Sequence, residues 1–521
     1  MSLHHQGAVT YVRDMQPPVI AGGEEITGIS VLAGEYQRRQ PERTVLYRVV
    51  QEHYRTYASL CEEEDRALPA FVRREFEKYL ACGILSEGFA RVRCGQCGYD
   101  RLVGFSCKRR GFCPGCTGRR MNDGAAFLTD RVIGDTPIRH WVLSLPPPLR
   151  YLLAYDASLV GEVLSAFIAA MFGSLRWKAK DVLGLRSVTM AHPGAVTAIQ
   201  RSSSHLALNV HFHSLVTDGV FVQESPDDLV TFHALPPPVE AELTEVAWET
   251  CRRTRDILQR RGLWQDDPEP GAGDGDPLAA AEPGMAATYQ ASLRGVLSSG
   301  PRRGRQVVRF FGQAAREDGL DPASRRPGHG FDLHARQGTH AGDRAALERF
   351  ARYVLRPPLA QGRLDLASDG RVVLHMKRPW RDGTAGMVFE PLDFLSRLTA
   401  LIPRPKMNTL RFHGIYASHA RLREQVVPEP EEPPSHRPCS GRPEDPIRRD
   451  HRLAWAELLA RVYRVDVFRC PRCSSRTSRI AWVTVPDVIR RILHSVGLAT
   501  DSPALHPPRT SAEVFGEAPA A

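Results

Sequence analysis

Leu206-Ala207-Leu208-Asn209-Val210-His211-Phe212-His213-Ser214-Leu215-Val216 is a nearly unbroken apolar run that stops at Asp218-Gly219. Such a run closed by Asp-Gly reads as a buried strand ending in a turn. Side chains on a strand alternate faces, so His211 and His213 share one face and Phe212 points into the opposite layer. Two imidazoles on one face of a rigid strand supply half of a divalent-metal site. The same pair could serve as hydrogen-bonded core histidines, so the surrounding sequence has to decide.

Upstream, residues 140–145 read as a strand stopped by Pro146-Pro147-Pro148, residues 157–177 as a long helix, and residues 195–201 as a second strand. Downstream, residues 238–263 form a charged, periodic helix. The order strand, helix, strand, strand, helix predicts an α+β fold with an antiparallel sheet. The longest apolar run, 163–173, is too short to span a bilayer and fits a buried helix. Residues 363–413 read as strands, with turns at Asp369-Gly370 and Asp382-Gly383.

The chain divides into a loose segment (1–42), a helical and metal-binding module (43–135), a central domain (136–426), a Pro-rich linker (427–447) and a tail (448–521). In the first module Leu46, Val49, Val50, His53 and Tyr57 keep helical spacing, as do Val72, Phe76, Tyr79 and Leu80. Within the central domain, residues 265–342 are rich in Gly, Pro, Asp and Arg, which predicts an insertion of limited order.

The 521 residues carry 69 Lys+Arg against 59 Asp+Glu, a net charge of +10 that favours a polyanionic partner without requiring one. No secretory signal opens the sequence, so the expected location is the cytoplasm, with no membrane partner. Eleven cysteines, mostly clustered, suggest metal thiolates rather than disulfides. Cys94/Cys97 and Cys113/Cys116 are two Cys-x-x-Cys pairs that together predict one closed tetrahedral zinc site. Cys107 either replaces one of those ligands or is buried. Cys470/Cys473 is an isolated pair, with neither Cys439 nor His494 well spaced to complete it. Lys108, Arg109, Arg110, Arg119 and Arg120 crowd the same module and could contact phosphate or simply form a solvated basic surface.

A basic chain with a zinc module and no phosphate-cradling glycine loop suggests phosphodiester cleavage, with a divalent ion polarising the phosphate. Tyr353 is the candidate nucleophile. Leu347, Phe350, Ala351 and Val354 form the apolar stripe of a helix over about 343–355, and Tyr353 lies at its margin. Arg349 and Arg356 could hold DNA phosphate beside it. An amphipathic tyrosine at a helix edge would look the same.

The segments RVRCGQCG, SCKRRGFCPGC, RHWVLSLP, NVHFHSLVTDGVF, RYVLRPPLA, KRPWRDGT, LIPRPKMNTLRFHG and FRCPRC, in this order, resemble the rolling-circle transposases typified by insertion sequence ninety-one. These belong to the His-hydrophobic-His endonuclease superfamily. The resemblance implies an RNA-recognition-motif-like sheet with His211 and His213 on its central strand, and an N-terminal zinc-binding DNA-contact domain. It also implies that Tyr353 attacks single-stranded DNA to leave a 5′-phosphotyrosine, with Mg²⁺ or Mn²⁺ as the catalytic ion. Founding members carry Tyr-x-x-x-Tyr, whereas Arg349 holds the first position here, which places the chain with single-tyrosine relatives. Ser474-Ser475 stands where the family has Gly-Gly after the last Cys pair. Gln200 is the expected third metal ligand, with Asp218 and His413 as alternatives. A replication initiator or relaxase of the same superfamily, or a decayed DNA-binding protein, would share much of this pattern.

Overall fold

The computed structural model describes residues 38–225, 228–264, 276–311, 330–380, 382–428, 455–463 and 465–516. In the N-terminal part, α1 (Val45–Glu63) starts at Thr44, whose hydroxyl accepts from the Tyr47 N–H at 3.3 Å. Helix α1 buries Leu46, Val50 and Tyr57 against Val72, Phe76 and Tyr79 of α2 (Ala70–Leu80). A hairpin follows, β1 (Phe89–Cys94) and β2 (Asp100–Gly104), and then α3 (Pro114–Leu128), with Pro114 at its first position where no N–H is needed.

The central domain opens with β3 (Ile138–Ser144), α4 (Pro147–Tyr155) and α5 (Ala157–Leu183). Strands β4 (Ala191–His192), β5 (Gly194–Ser202), β6 (Leu208–Thr217), β7 (Gly219–Val222) and β8 (Thr231–Ala234) lead to α6 (Glu240–Arg260). Next come α7 (Pro277–Ala281), α8 (Pro283–Arg294), β9 (Val308–Phe311), β10 (Asp332–Gly338) and α9 (Arg344–Val354). Strands β11 (Leu364–Leu366), β12 (Val372–His375) and β13 (Thr384–Phe389), helix α10 (Pro391–Leu401) and strand β14 (Leu410–Gly414) complete it. The tail holds α11 (Trp455–Tyr463), β15 (Thr477–Val483), α12 (Pro486–Ser495) and α13 (Ser511–Phe515).

The expected α+β architecture is present. A five-stranded antiparallel sheet runs β10-β3-β6-β5-β14, with the His-Phe-His strand β6 at its centre. Alternation along β6 builds two different layers. Val210, Phe212 and Val216 join Trp141, Leu143 and Ile199 in the large core with Val163, Phe167 and Met171 of α5. Leu215 joins Val196 and Ala198 under Leu347, Ala351 and Val354 of α9 and Ala125 and Leu128 of α3. Helix α5 is the one described helix long and apolar enough to cross a membrane, and most of that stretch is buried in the fold.

Three sequence expectations need correction. The stretch 265–342 is not of limited order where it is described. Helix α8 buries Met285, Ala286 and Tyr289, and Ser292 Oγ accepts from the Leu208 N–H at 2.9 Å, bracing the start of β6. Strand β10 is an edge of the five-stranded sheet. Short apolar stripes were hidden by their polar, Gly- and Arg-rich flanks; residues 265–275 and 312–329 lie outside the described residues. Residues 363–413 are not strands alone: α10 intervenes, and Leu392 through Leu401 are all buried. A helix buried on every side has no polar face to mark its period. The N-terminal segment is anchored from Arg38 onward, for Arg39 Nη2 donates to the Cys82 carbonyl at 3.0 Å. The rest of that segment and the linker from residue 429 to 447 lie outside the described residues.

Candidate active site and metal centres

His211 and His213 lie on the face of β6 that looks toward α9, and both are buried. The His211 Nδ1–H donates to the Asn209 carbonyl at 2.7 Å; a carbonyl can only accept, so in the neutral ring Nε2 carries the lone pair. His213 Nδ1 lies 2.8 Å from His140 Nε2 on the neighbouring strand β3, and His213 Nε2 is buried with no partner. Burial holds all three rings neutral. His213 is pushed down to about 2, with His211 and His140 adding to the burial effect, and His140 to about 4, with Arg356 adding; His211 also shifts down. An orphaned ring nitrogen, a second free lone pair and neutral imidazoles fit a divalent cation.

His140 belongs to a strand foreseen from sequence, but no role was assigned to it. Its register position decides the matter: Val142 pairs with His213, so His140 sits diagonally from His213 on the same face. Only strand pairing reveals that.

Tyr353 occupies the last turn of α9 and is 45 % exposed, so its ring is accessible to a large substrate. The ring meets His140 and His213 edge-on, with centroids 5.8 and 5.9 Å apart. The Arg356 guanidinium lies 4.5 Å from the ring centroid on its face. Gln200 pairs with His211 across β5 and β6 and shares its face. Its amide nitrogen donates to the Val354 carbonyl at 2.6 Å, one of the unpaired carbonyls at the end of α9, which leaves only its oxygen as a metal ligand.

The two alternatives to Gln200 are elsewhere. Asp218 is held by Arg139 through bonds of 2.7 and 2.8 Å. His413 pairs with Ala195, on the opposite face of the sheet.

The cysteines assemble differently from the spacing-based expectation. Cys94, Cys97, Cys113 and Cys116 do not form one site. Cys113 and Cys116 join Cys82 and Cys107, whereas Cys94 and Cys97 join Cys470 and Cys473, each quartet having its sulfurs within 4.8 Å of one another. The reason is topological: β1 and β2 carry Cys94/Cys97 to one end of the hairpin, while Gly83 N–H donates to the Phe105 carbonyl at 2.8 Å and brings Cys82 and Cys107 to the other. In the first quartet neighbouring sulfurs are 3.3 to 3.7 Å apart. A tetrahedral tetrathiolate with zinc–sulfur bonds of about 2.3 Å needs sulfurs about 3.8 Å apart, and a disulfide about 2.05 Å. Arg39 donates to Cys82 Sγ at 3.4 Å, a cation suited to a buried thiolate cluster. Cys82 was missed because it precedes the motif region and stands alone in the turn after α2.

Of the basic residues, Lys108, Arg119, Arg120 and Arg349 are exposed. Arg110 is partly buried and donates to the Met407 carbonyl at 2.8 Å, so it ties the zinc module to the central domain. Arg109 is partly buried near Glu75, whose carboxyl is shifted up chiefly by burial.

Two family models match the chain. Residues 194–424, which span β5 to the end of the sheet domain, match the Y2_Tnp family, described as "Putative transposase". Residues 49–145 match the family described as "Transposase zinc-binding domain". No curated protein and no solved structure gave a match. These two matches identify a transposase, a DNA-processing enzyme whose partner is DNA. Together the two matches support an IS91-type transposase with an N-terminal zinc-binding domain, with zinc as a structural metal.

Proposed function

We propose that this transposase cuts and rejoins single-stranded DNA through a covalent link to Tyr353. The observation that carries the reading is the contact of the Tyr353 ring with His213 and His140 while the residue stays exposed to solvent. His211 and His213 would hold a Mg²⁺ or Mn²⁺ ion through their Nε2 atoms, with the Gln200 oxygen as a further ligand. When bound, that ion polarises the scissile phosphate and offsets the charge that builds on it. Cys82, Cys107, Cys113 and Cys116 hold the structural zinc.

The chain's own residues then divide the work. The Tyr353 oxygen attacks phosphorus, the bond from phosphorus to the 3′ oxygen breaks, and the strand is left as a 5′-phosphotyrosine with a free 3′-hydroxyl. The phenolic proton leaves to solvent and the departing 3′ oxygen takes one up. Rejoining reverses the exchange with an incoming 3′-hydroxyl, so no nucleotide cofactor is needed. Arg356 packs on the ring and restricts the directions its oxygen can take. Arg349, one turn earlier, and Lys108, Arg109, Arg119 and Arg120 of the zinc module hold phosphates of the bound strand, Arg109 from a partly buried position, while Arg110 anchors the module through Met407.

The test is mass spectrometry of the protein incubated with Mn²⁺ and a single-stranded oligonucleotide from the element's end. An adduct on Tyr353 that is lost in Tyr353→Phe and His211→Ala is the expected result. An adduct that persists in Tyr353→Phe overturns the assignment.

A further inference from the structure

We infer that Cys94, Cys97, Cys470 and Cys473 form a second zinc site, one that clasps the C-terminal tail to the N-terminal module. The inference is independent of the strand-transfer chemistry. It joins residues 373 positions apart, Cys97 and Cys470, whose sulfurs are 3.5 Å from each other; Cys94 and Cys473 are also 3.5 Å apart. These separations are far beyond a disulfide and close to those of a single tetrahedral ion.

The backbone argues for it separately. Both Cys-x-x-Cys segments adopt the same turn. Gly98 N–H donates to the Cys94 carbonyl at 3.1 Å, and Ser474 N–H to the Cys470 carbonyl at 2.9 Å. Cys94 N–H donates to the Tyr99 carbonyl at 2.9 Å, and Cys470 N–H to the Ser475 carbonyl at 2.8 Å. The residue after each second cysteine is left-handed, Gly98 with φ 68° and Ser474 with φ 60°. A serine there accepts strain that a glycine would avoid. Two unrelated stretches converge on one turn, facing each other, and a shared ligand explains both. Ser475 has its hydroxyl 2.7 Å from Cys473 Sγ and 3.2 Å from Cys94 Sγ, a position from which it can donate to a thiolate.

The clasp has work to do. Strand β15 pairs antiparallel with β1, from Phe89 opposite Val483 to Cys94 opposite Thr477. The fully buried apolar contact beneath it is small: Leu85 and Phe89 of the module with Val483, Ile489 and Leu493 of the tail. So small a core seldom holds a segment without a metal or a crosslink. The ion would therefore complete a three-stranded sheet, β15-β1-β2, from the two ends of the chain.

The experiment measures metal content of the full-length protein by inductively coupled plasma mass spectrometry. Two zinc ions per chain are expected in the wild type, one in Cys470→Ser/Cys473→Ser, and two again in Cys473→His, which restores a ligand atom. Two zinc ions retained in the double serine variant overturn the proposal, as does a wild type that holds one zinc or holds iron at this site. If the serine variant does not fold, alkylation of the wild type decides. Cys97 and Cys473 have exposed positions, so protection from iodoacetamide that is lost with a chelator supports the clasp. Rapid modification of both in the zinc-loaded protein sinks it. Adduct formation on Tyr353 is scored separately, so either idea can fail alone.

Discussion

His140 illustrates how much one residue can change the reading of the site. For His213 to offer Nε2 to a cation, its Nδ1–H must donate, and His140 Nε2 is the acceptor at 2.8 Å. His140 is thus a positioning residue. His140→Phe should weaken Mn²⁺ binding and slow adduct formation by about 10- to 100-fold, the usual cost of losing such a partner. His140→Gln, which keeps an acceptor, should recover part of both. A Mn²⁺ titration read alongside the adduct rate checks this; unchanged Mn²⁺ affinity in His140→Phe would refute the role. The same burial makes an acid-stability prediction. His140, His205 and His413 are each lowered to about 4, and burial is the leading cause in every case. An unfolded histidine titrates at about 6.5. Their contribution is complete above that value and is lost as pH falls toward 4, because the unfolded chain then takes up protons that the folded one refuses. The thermal midpoint should fall steadily between pH 6.5 and 4, and calorimetry showing no slope across that window would contradict it.

At the scale of elements, α9 is the piece on which the proposed chemistry depends. Asp343 caps its start, accepting from Ala346 N–H at 2.9 Å, and Gln200 holds its end. Arg461 of α11 bridges Glu348 of α9 and Asp130 behind α3. These ties differ in strength. Removing the cap with Asp343→Ala should cost about 1 kcal/mol. Gln200→Leu leaves the Val354 carbonyl short of a partner and should cost about 1–3 kcal/mol. Arg461→Ala, on a partly screened surface network, should cost less than about 1 kcal/mol. Denaturant unfolding of the three variants gives the order. An Arg461 variant that loses the most would mean that the tail, not the sheet, sets the position of α9. Gln200→Leu should also slow adduct formation, since it removes a tether one residue from Tyr353.

For the whole molecule, the net charge of +10 sets the long-range behaviour. Affinity for single-stranded DNA should fall as salt rises, with each neutralised phosphate adding about 0.7 to the logarithmic slope. Replacing Lys108, Arg119 and Arg120 by Ala together should reduce that slope by about 2. Fluorescence anisotropy over a salt series measures it, and an unchanged slope would remove these three from the interface. Arg110→Ala should act differently, through lost anchoring to Met407, and lower stability more than its charge alone would suggest.

Local sequence alone determined the elements marked by an apolar run or by helical periodicity: strand β6, its histidine pair, helices α1, α2, α5, α6 and α9, and the presence of thiolate ligands. Strand alternation is a property of the chain itself, so His211 and His213 had to share a face in any fold that kept β6. The tertiary structure alone decided which partners those residues met. Antiparallel register put His140 beside His213 and turned His413 away, and the pairing of β15 with β1 redistributed the cysteines into two quartets. Spacing within a segment is fixed by covalent geometry, whereas contact between segments is fixed by packing, and no local pattern records it.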